Sequence, residues 1–221
     1  MHSHLIPGVD DGVRTKEESF AIIDQLLVLG YQKIITTPHI MADYYGNTAD
    51  SLTNAYEQFL PVLRANGYSF PFVCAAEYYL DERTYKAVMA KEKLLMFGDR
   101  HLLFETNAVS EPLQLKEFIF SLTSQGIKPI MAHPERYQYM TLEKAEDLRQ
   151  RGVLLQLNLL SLLGYYGPPM QKLAEKLIDR GWCDMLGTDC HNMDHIVLLK
   201  KVQRLKYYRK ALDLPLLNFS L

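Results

Sequence analysis

Short apolar runs alternate with amphipathic segments along most of the chain. Runs of four to six apolar residues predict buried strands, and apolar residues at every third or fourth position predict helices. The clearest helix begins at a capping box formed by Thr15 and Glu18 and ends at Gly30. The other predicted helices span residues 48–65, 82–90, 111–124, 141–152, 168–181 and 193–212, and the predicted strands span residues 33–37, 72–76, 101–104, 127–132, 153–157 and 182–187.

This alternation of strand and helix predicts the α/β class with a parallel sheet, and the number of units favours closure into a barrel. A complete eight-fold barrel takes about 250 residues, and this chain has 221. We count six strands, plus whatever precedes His2. We therefore expect a first strand that is short or truncated before His2. No linker or change in composition divides the sequence, so we expect one domain over residues 1–221.

The composition narrows the classes of function. A net charge of −2 and a pI near 6.4 argue against a nucleic-acid binder, which is usually basic. They do not exclude an anionic substrate, because bound metal ions add positive charge. No apolar run reaches the ~18 residues of a membrane span, and no signal peptide opens the chain. We therefore expect a cytoplasmic protein that does not span the membrane.

The three cysteines lack the spacing of a metal or redox pair, which is typical of reduced thiols in the cytosol. Cysteine-dependent phosphatases require an arginine six residues after the cysteine. Leu80, Asp189 and Ile196 occupy those positions here, so that chemistry is excluded.

Histidines and carboxylates recur where predicted strands end. His39, Glu77, Glu105 and His133 each follow an apolar run, and two pairs with one intervening residue, His2 with His4 and Asp189 with His191, can present both side chains on one face. Strand carboxyl ends in a parallel barrel share one mouth. Imidazole and carboxylate groups that converge there can hold several divalent metals.

Each of these residues also has a simpler interpretation. His2 and His4 could belong to a tag or an exposed terminus, an isolated histidine is commonly a satisfied polar group, and a buried glutamate commonly forms an ion pair. That all of these histidines and carboxylates stand at strand ends by chance is a weaker explanation than a shared metal site. We interpret His101, at the start of a strand, and His195, in a helix, as structural.

Three further features have two readings each. Asp10-Asp11-Gly12 is either a turn or a loop that supplies an aspartate to the metal site. Arg136 is either a surface residue or a clamp for phosphate oxygens. The tyrosine pairs at 44–45, 78–79 and 165–166 either pack loops or line a pocket for an aromatic group.

Taken together and in order, these motifs resemble those of the polymerase and histidinol phosphatase (PHP) superfamily. The opening motifs and the segment from His133 to Tyr137 resemble its bacterial manganese-dependent tyrosine-protein phosphatases of capsule and exopolysaccharide systems. The resemblance runs from His2 to about Asn192. Its motifs are His2-Ser3-His4, Asp10-Asp11-Gly12, Thr37-Pro38-His39, Ala76-Glu77, Phe104-Glu105, His133-Pro134-Glu135-Arg136-Tyr137 and Asp189-Cys190-His191-Asn192.

The resemblance implies a distorted seven-stranded β/α (TIM-like) barrel with its metal site at the C-terminal mouth of the strands. It implies three divalent ions, most often manganese, with iron, zinc or magnesium as alternatives. The implied ligands are His2, His4, Glu77 and Asp189 for the first ion, Glu77, Glu105 and His133 for the second, and Asp11, His39 and His191 for the third. Arg136 becomes the catalytic residue that binds the substrate phosphate. The family pattern has a further arginine after Asp-x-His-Asn, and residues 193–196 contain none.

The implied substrate is phosphotyrosine on a membrane-bound tyrosine autokinase that regulates polysaccharide export. Two other functions stay open. The same cluster could hydrolyse a small phosphate monoester such as histidinol phosphate, or a nucleic-acid 3′ end, which the acidic balance disfavours. A barrel without metal could instead bind phosphoproteins without catalysis. Competent residues at every expected ligand position favour an enzyme.

Overall fold

The computed structural model describes residues 2–221, and its strands within that range are short and pair in parallel. The strands are β1 Ile34–Thr36, β2 His39–Ile40, β3 Phe72–Cys74, β4 Glu77–Tyr79, β5 His101–Glu105, β6 Lys128–Ala132, β7 Leu154–Asn158 and β8 Met185–Gly187. The helices are α1 Lys16–Val28, α2 Ala49–Ala65, α3 Glu82–Met89, α4 Leu115–Ser124, α5 Leu142–Gln150, α6 Pro168–Asp179, α7 Met193–Val202 and α8 Lys206–Leu212.

The strands form a six-stranded sheet in the order β2-β4-β5-β6-β7-β8 and a two-stranded sheet of β1 and β3. Strands β1 and β2 belong to one extended segment with an interruption between them, and so do β3 and β4. The first interruption contains Pro38, which has no N–H to donate to a ladder. The N–H of Ala75 still donates to the carbonyl of Thr36 at 2.9 Å, and that of Glu77 to Pro38 at 3.1 Å. Pairing therefore continues across both interruptions.

A mixed α/β fold with a mostly parallel sheet is confirmed, whereas a seven-stranded barrel is not confirmed by these strands. The segment after His2 makes a single parallel bridge, from Ser3 to Cys190, instead of a strand. The N–H of His4 donates to Cys190 at 2.9 Å, and that of Thr37 donates to Ser3 at 2.7 Å. The segment thus lies between the residues that follow β8 and those that follow β1. A strand preceding His2 would fall on Met1, which lies outside the described residues.

The prediction of one helix over residues 193–212 is wrong, because the chain breaks between α7 and α8. Val202 and Ala211 are both buried. In one continuous helix these residues would point in opposite directions, since nine residues correspond to two and a half turns. An extended Leu205, with φ −75° and ψ 145°, separates the two helices so that both apolar faces reach the core. Helix α4 also begins later than predicted, after a turn in which Leu115 donates to Pro112.

Successive side chains on a strand point to opposite faces of the sheet, and this divides the interior into two apolar layers. Leu102 and Phe104 of β5 pack into the larger layer with the helices, and Leu103 packs into a smaller layer. Side chains two residues apart on a strand share a face, so Glu105 lies on the same side as Leu103. The smaller layer, which includes Ile130 of β6, therefore forms an apolar floor beneath the polar ends of the strands. Burial of each such aliphatic side chain contributes roughly 1.5–3 kcal/mol to stability.

The helices place their buried apolar residues against this core. The longest, α2, has 17 residues and carries charged positions. Among residues 2–221, no helix combines the length and the apolar character that crossing a bilayer requires.

Candidate metal centre

The predicted polar residues converge at the carboxyl ends of the strands, in loops with unusual backbone geometry. Glu105 ends β5, His133 follows β6, and Asp189 and His191 follow β8. His39 and Glu77 differ from the prediction, because each begins a short strand after an interruption and the two pair in register. His2, His133 and Asp189 adopt left-handed backbone conformations with φ of 60°, 34° and 48°. Non-glycine residues in this region are uncommon and concentrate at functional sites.

Glu77 is the centre of the cluster and is fully buried. Its Oε2 lies 3.1 Å from Nε2 of His2, 3.3 Å from Nδ1 of His39 and 3.5 Å from Nε2 of His4. Its Oε1 lies 3.0 Å from Nε2 of His133. One carboxylate therefore contacts four imidazoles that come from sequence positions up to 131 residues apart (133 − 2).

The donor atoms form three overlapping groups, in each of which all atoms lie within 4.8 Å of one another. The groups are His2, His4, Glu77 and Asp189; His39, Glu77 and Glu105; and His4, Asp11, His39 and His191. The first matches the set implied for the first ion. His133, implied for the second, lies 3.8 Å from Oε2 of Glu105. All nine residues predicted as ligands are thus brought to one site.

The donor set fits divalent cations. Imidazole nitrogens and carboxylate oxygens are ligands that manganese, iron and zinc accept. Nδ1 of His39 is buried and has no hydrogen-bond partner in the described chain, although it lies 3.2 Å from Oε1 of Glu105. An imidazole nitrogen this close to a carboxylate oxygen, with no hydrogen bond between them, is the arrangement expected where both atoms coordinate one cation.

Asp10 supports the cluster in a way that the sequence did not reveal. Its Oδ2 accepts a hydrogen bond from Nδ1 of His4 at 2.6 Å and another from the N–H of His39 at 3.0 Å. Asp11, in contrast, has a half-exposed side chain 3.5 Å from His39 and 3.4 Å from His191. The adjacent aspartates therefore contact different atoms of the histidine cluster, and Asp11 is the one that falls in a donor group.

Two amides also contact the predicted ligands. Nδ1 of His2 donates to Oε1 of Gln156 at 2.5 Å, so Nε2 of His2 faces Glu77. Nδ2 of Asn158 donates to Oδ2 of Asp189 at 3.0 Å. Such outer contacts set the tautomer and orientation of ligands. Sequence reasoning passed over both residues, although a glutamine and an asparagine in an apolar strand need buried partners and were a usable signal.

Without a bound cation, the interaction between the histidines and the carboxylates outweighs burial in setting the pKa values of His2 and Glu77. Burial lowers the pKa of His2, but the carboxylates of Glu77 and Asp189 outweigh it and raise the pKa to about 10. Burial raises the pKa of Glu77, but the neighbouring His2, His133 and His39 hold it well below its usual range. A proton on His2 occupies a position that a cation would take, so metal binding should release it.

Arg136 contributes a guanidinium to the pocket over the cluster. Its Nη1 donates to Oδ2 of Asp189 at 2.8 Å, and that carboxylate raises the pKa of the guanidinium even though burial lowers it. The pocket has a volume of about 200 Å³. It is lined by Asp11, His39, Met41, Tyr44, Tyr45, Glu77, Glu105, His133, Arg136, Asp189 and His191. Tyr44 and Tyr45 thus line the pocket, as one of the two readings of the tyrosine pairs expected.

The two histidines interpreted as structural do not line the pocket. His101 packs against Phe97 at the start of β5. His195 lies behind the site, with Nδ1 3.1 Å from the carbonyl oxygen of Asp189. His195 therefore supports the loop that carries Asp189 and His191.

Fold and site together define an α/β protein with a histidine and carboxylate centre suited to a cluster of divalent metals. Residues 1–202 match the family model described as capsular polysaccharide synthesis, CpsB/CapC. The chain belongs to this family, which confirms the family resemblance of its motifs.

Relatives in this family cover most of the chain at low identity. CapC of Staphylococcus aureus is 25% identical over the whole chain and 89% of its own length. The tyrosine-protein phosphatase YwqE of Bacillus subtilis (strain 168) is 25% identical, covering 87% of this chain and 77% of YwqE. The tyrosine-protein phosphatase CpsB of Streptococcus pneumoniae is 23% identical, covering 88% of this chain and 83% of CpsB.

The fold is shared with a solved member of this group. A chain from the crystal structures of YwqE from Bacillus subtilis and CpsB from Streptococcus pneumoniae, which are metal-dependent tyrosine phosphatases, superposes with a TM-score of 0.81. It is 21% identical, and the match covers 96% of this chain and 90% of that one.

Proposed function

We propose that this protein is a metal-dependent protein-tyrosine phosphatase that hydrolyses phosphotyrosine. The observation that carries the proposal is the position of Glu77, a fully buried carboxylate within 3.5 Å of His2, His4, His39 and His133. A carboxylate so placed among imidazoles fits a ligand shared between metals. Membership of the CpsB/CapC family and the activity named for YwqE and CpsB support the same function.

We infer three divalent ions, with manganese as the first candidate and iron, zinc or magnesium as alternatives. The proposed ligands are His2, His4, Glu77 and Asp189 for the first ion, Glu77, Glu105 and His133, with His39 adjacent, for the second, and Asp11, His39 and His191, with His4 adjacent, for the third. The three overlapping donor groups support this assignment. When bound, such ions polarise phosphoryl oxygens and lower the pKa of water towards 7.

The residues of the chain would bind and orient the phosphate. Arg136 is the proposed catalytic and substrate-binding residue, because a guanidinium presents paired N–H groups that match two phosphoryl oxygens. It lines the same pocket as Tyr44 and Tyr45, whose rings could contact an aromatic substrate. A tyrosine phenolate, with a pKa near 10, is a good leaving group, so the reaction places little demand on a general acid.

We also propose that the sheet closes as a distorted seven-stranded barrel in one domain. The hydrogen bonds of Ser3 and His4 to neighbours on both sides support closure. The pairing of β1 with β3 and of β2 with β4 supports counting each interrupted segment as one strand.

The proposed physiological substrate is phosphotyrosine on a membrane-bound tyrosine autokinase, and the proposed location is the cytoplasm. The capsular polysaccharide synthesis family supports a role in that pathway. The proposal excludes nucleic acid as a substrate, in keeping with the net charge of −2.

The test is turnover of a phosphotyrosine peptide by protein whose metals have been counted, with and without added manganese. Histidinol phosphate and a DNA oligonucleotide serve as competing substrates. We expect manganese-dependent hydrolysis of the peptide, and loss of turnover in Glu77→Ala and His133→Ala. Glu82→Ala is the matched control, because Glu82 is exposed on α3 and pairs only with Lys86 in a surface ion pair.

Other outcomes would redirect or reject the proposal. Preferential hydrolysis of histidinol phosphate would keep the cluster and change the substrate. Low metal content with no turnover after manganese addition would favour a phosphoprotein-binding module. Full activity in Glu77→Ala would contradict the metal cluster itself.

A further inference from the structure

The guanidinium of Arg136 contacts Asp189, a proposed metal ligand, and is also held by two residues outside the ligand set, Tyr166 and Asn158. Its Cζ lies 4.4 Å above the ring centroid of Tyr166, which is a cation–π geometry. Nδ2 of Asn158 lies 3.1 Å from the hydroxyl of Tyr166 and 3.0 Å from Oδ2 of Asp189. Since Arg136 itself donates to Asp189, the four side chains form a closed ring of contacts.

Tyr166 contacts Arg136 but is not among the residues that line the pocket. It stands in a short loop between the 3-10 helix Leu159–Leu163 and α6. Two glycines with positive φ, Gly164 at 74° and Gly167 at 112°, bracket this loop. The ring of Tyr165 packs edge-on against Tyr166 at 4.9 Å. The tyrosine ring is therefore fixed in place by backbone geometry and by a neighbour.

We propose that Tyr166 is a positioning residue, whose ring holds the plane of the Arg136 guanidinium ready for the substrate phosphate. This inference rests on the proposed function, in which Arg136 binds phosphate. Arginine has a long, flexible side chain, and ordering it in advance reduces the entropy lost on binding. This role is important here because Arg136 is the one guanidinium among the residues that line the described pocket.

Asn158 completes the arrangement. Oδ2 of Asp189 accepts from both Arg136 and Asn158. When the guanidinium donates to a phosphate in place of Asp189, the amide of Asn158 still satisfies this carboxylate oxygen. Arg136 can therefore exchange partners without leaving a buried charge unpaired, which would be unfavourable.

The ring and the hydroxyl of Tyr166 can be tested separately on manganese-loaded protein. Tyr166→Phe retains the ring, whereas Tyr166→Leu removes it. Titration calorimetry with inorganic phosphate measures binding directly, and the phosphotyrosine peptide supplies kcat and KM. We expect Tyr166→Leu to weaken phosphate binding about 5- to 10-fold, and Tyr166→Phe to stay within about 2-fold of the parent protein. KM should rise more than kcat falls, because Arg136 contacts the phosphate before and during the reaction.

A double-mutant cycle with Arg136→Ala tests whether Tyr166 affects phosphate binding through Arg136. If Tyr166 acts through Arg136, adding Tyr166→Leu to Arg136→Ala should change phosphate binding no further. Tyr207→Leu is the matched control, since that ring also lies near a cation, Lys206 at 6.0 Å, but on α8 outside the pocket. Circular dichroism and metal content verify that each variant is folded and loaded.

Additive effects in the cycle, or a Tyr166→Phe defect as large as that of Tyr166→Leu, would overturn the positioning role. So would failure of the parent protein to bind phosphate. Phosphate binding without turnover would count against the phosphatase and leave the calorimetric cycle fully interpretable. The two proposals can therefore fail separately.

Discussion

The carboxylate of Asp10 accepts a 2.6 Å hydrogen bond from Nδ1 of His4, and this contact orients the Nε2 of His4 towards Glu77. The imidazole of His4 lowers the pKa of Asp10 below its usual range, although burial raises it. Asp11, one residue later, places its carboxylate 3.5 Å from Nε2 of His39 and 3.4 Å from Nε2 of His191. Neighbours in sequence thus have different tasks, because consecutive side chains in this loop point in different directions.

This difference predicts distinct effects for two conservative substitutions. Asp10→Asn should lower metal affinity about 10- to 100-fold, as loss of an outer partner commonly does, and should also lower the thermal stability of the metal-free protein. Asp11→Asn should remove one ion with little effect on metal-free stability, because the side chain is half-exposed. Metal analysis after dialysis, combined with thermal unfolding, measures both. Equal behaviour of the two variants would contradict the separation of roles.

Gly12, in the same loop, should tolerate substitution as poorly as a metal ligand does. A Cβ on Gly12 would lie 2.2 Å from the carbonyl oxygen of His4 and 2.5 Å from its Cβ. These atoms are backbone or are attached directly to it, so they cannot rotate away. We expect Gly12→Ala to displace His4, lowering metal content and destabilising the fold by roughly 1–3 kcal/mol. Gly46→Ala, where a new Cβ meets nothing within 4 Å, is the control for metal analysis and denaturant unfolding.

Metal removal should reverse the dependence of stability on pH. The pKa of His2 is raised from 6.5 to about 10 in the folded metal-free chain, so its stabilisation is complete below pH 6.5 and is lost as the pH rises towards 10. The metal-loaded protein should behave oppositely, because histidines must release protons to bind metal. The difference in Tm between loaded and chelated protein should therefore grow between pH 6 and pH 9. A metal-free protein that becomes more stable over this range would refute the expectation, and His2→Gln should flatten its profile.

Glu135 supplies a second pH-dependent prediction. It is buried, and Oε1 accepts from the N–H of Asn158 at 2.9 Å and the hydroxyl of Ser161 at 2.7 Å, whereas Oε2 has no partner in the described chain. Burial raises its pKa, so the folded state favours the protonated form and loses stability as the pH rises above about 4.5. Glu135→Gln mimics that form.

Glu135→Gln should therefore raise Tm at pH 8 and leave it unchanged near pH 4. Each kcal/mol corresponds to about 2–4 °C for a chain of this size. Glu146→Gln, on the exposed face of α5, is the control for differential scanning calorimetry. A destabilised Glu135→Gln at pH 8 would indicate that the carboxylate is ionised and has a partner.

Local sequence signals predicted the fold class and most of its elements. The capping box of Thr15 and Glu18 places the start of α1, because it acts within one helical turn. Apolar runs of strand length predicted β5 and β6 for the same reason. Eight of the nine residues proposed as ligands could be selected from their places at predicted strand ends, since strand ends of a parallel sheet share one edge and polar side chains there need partners. Asp11, in a loop with two interpretations, was indicated only by the family resemblance.

Long-range contacts required the tertiary structure. The break between α7 and α8 follows from where the core receives Val202 and Ala211, and the local helical pattern of residues 193–212 does not contain that information. The contacts of Gln156 with His2 and of Tyr166 with Arg136 join residues far apart in sequence or separated by a loop. The amino-acid order therefore predicts which side chains can bind a cation or a phosphate, whereas only packing of the whole chain decides which neighbours orient them.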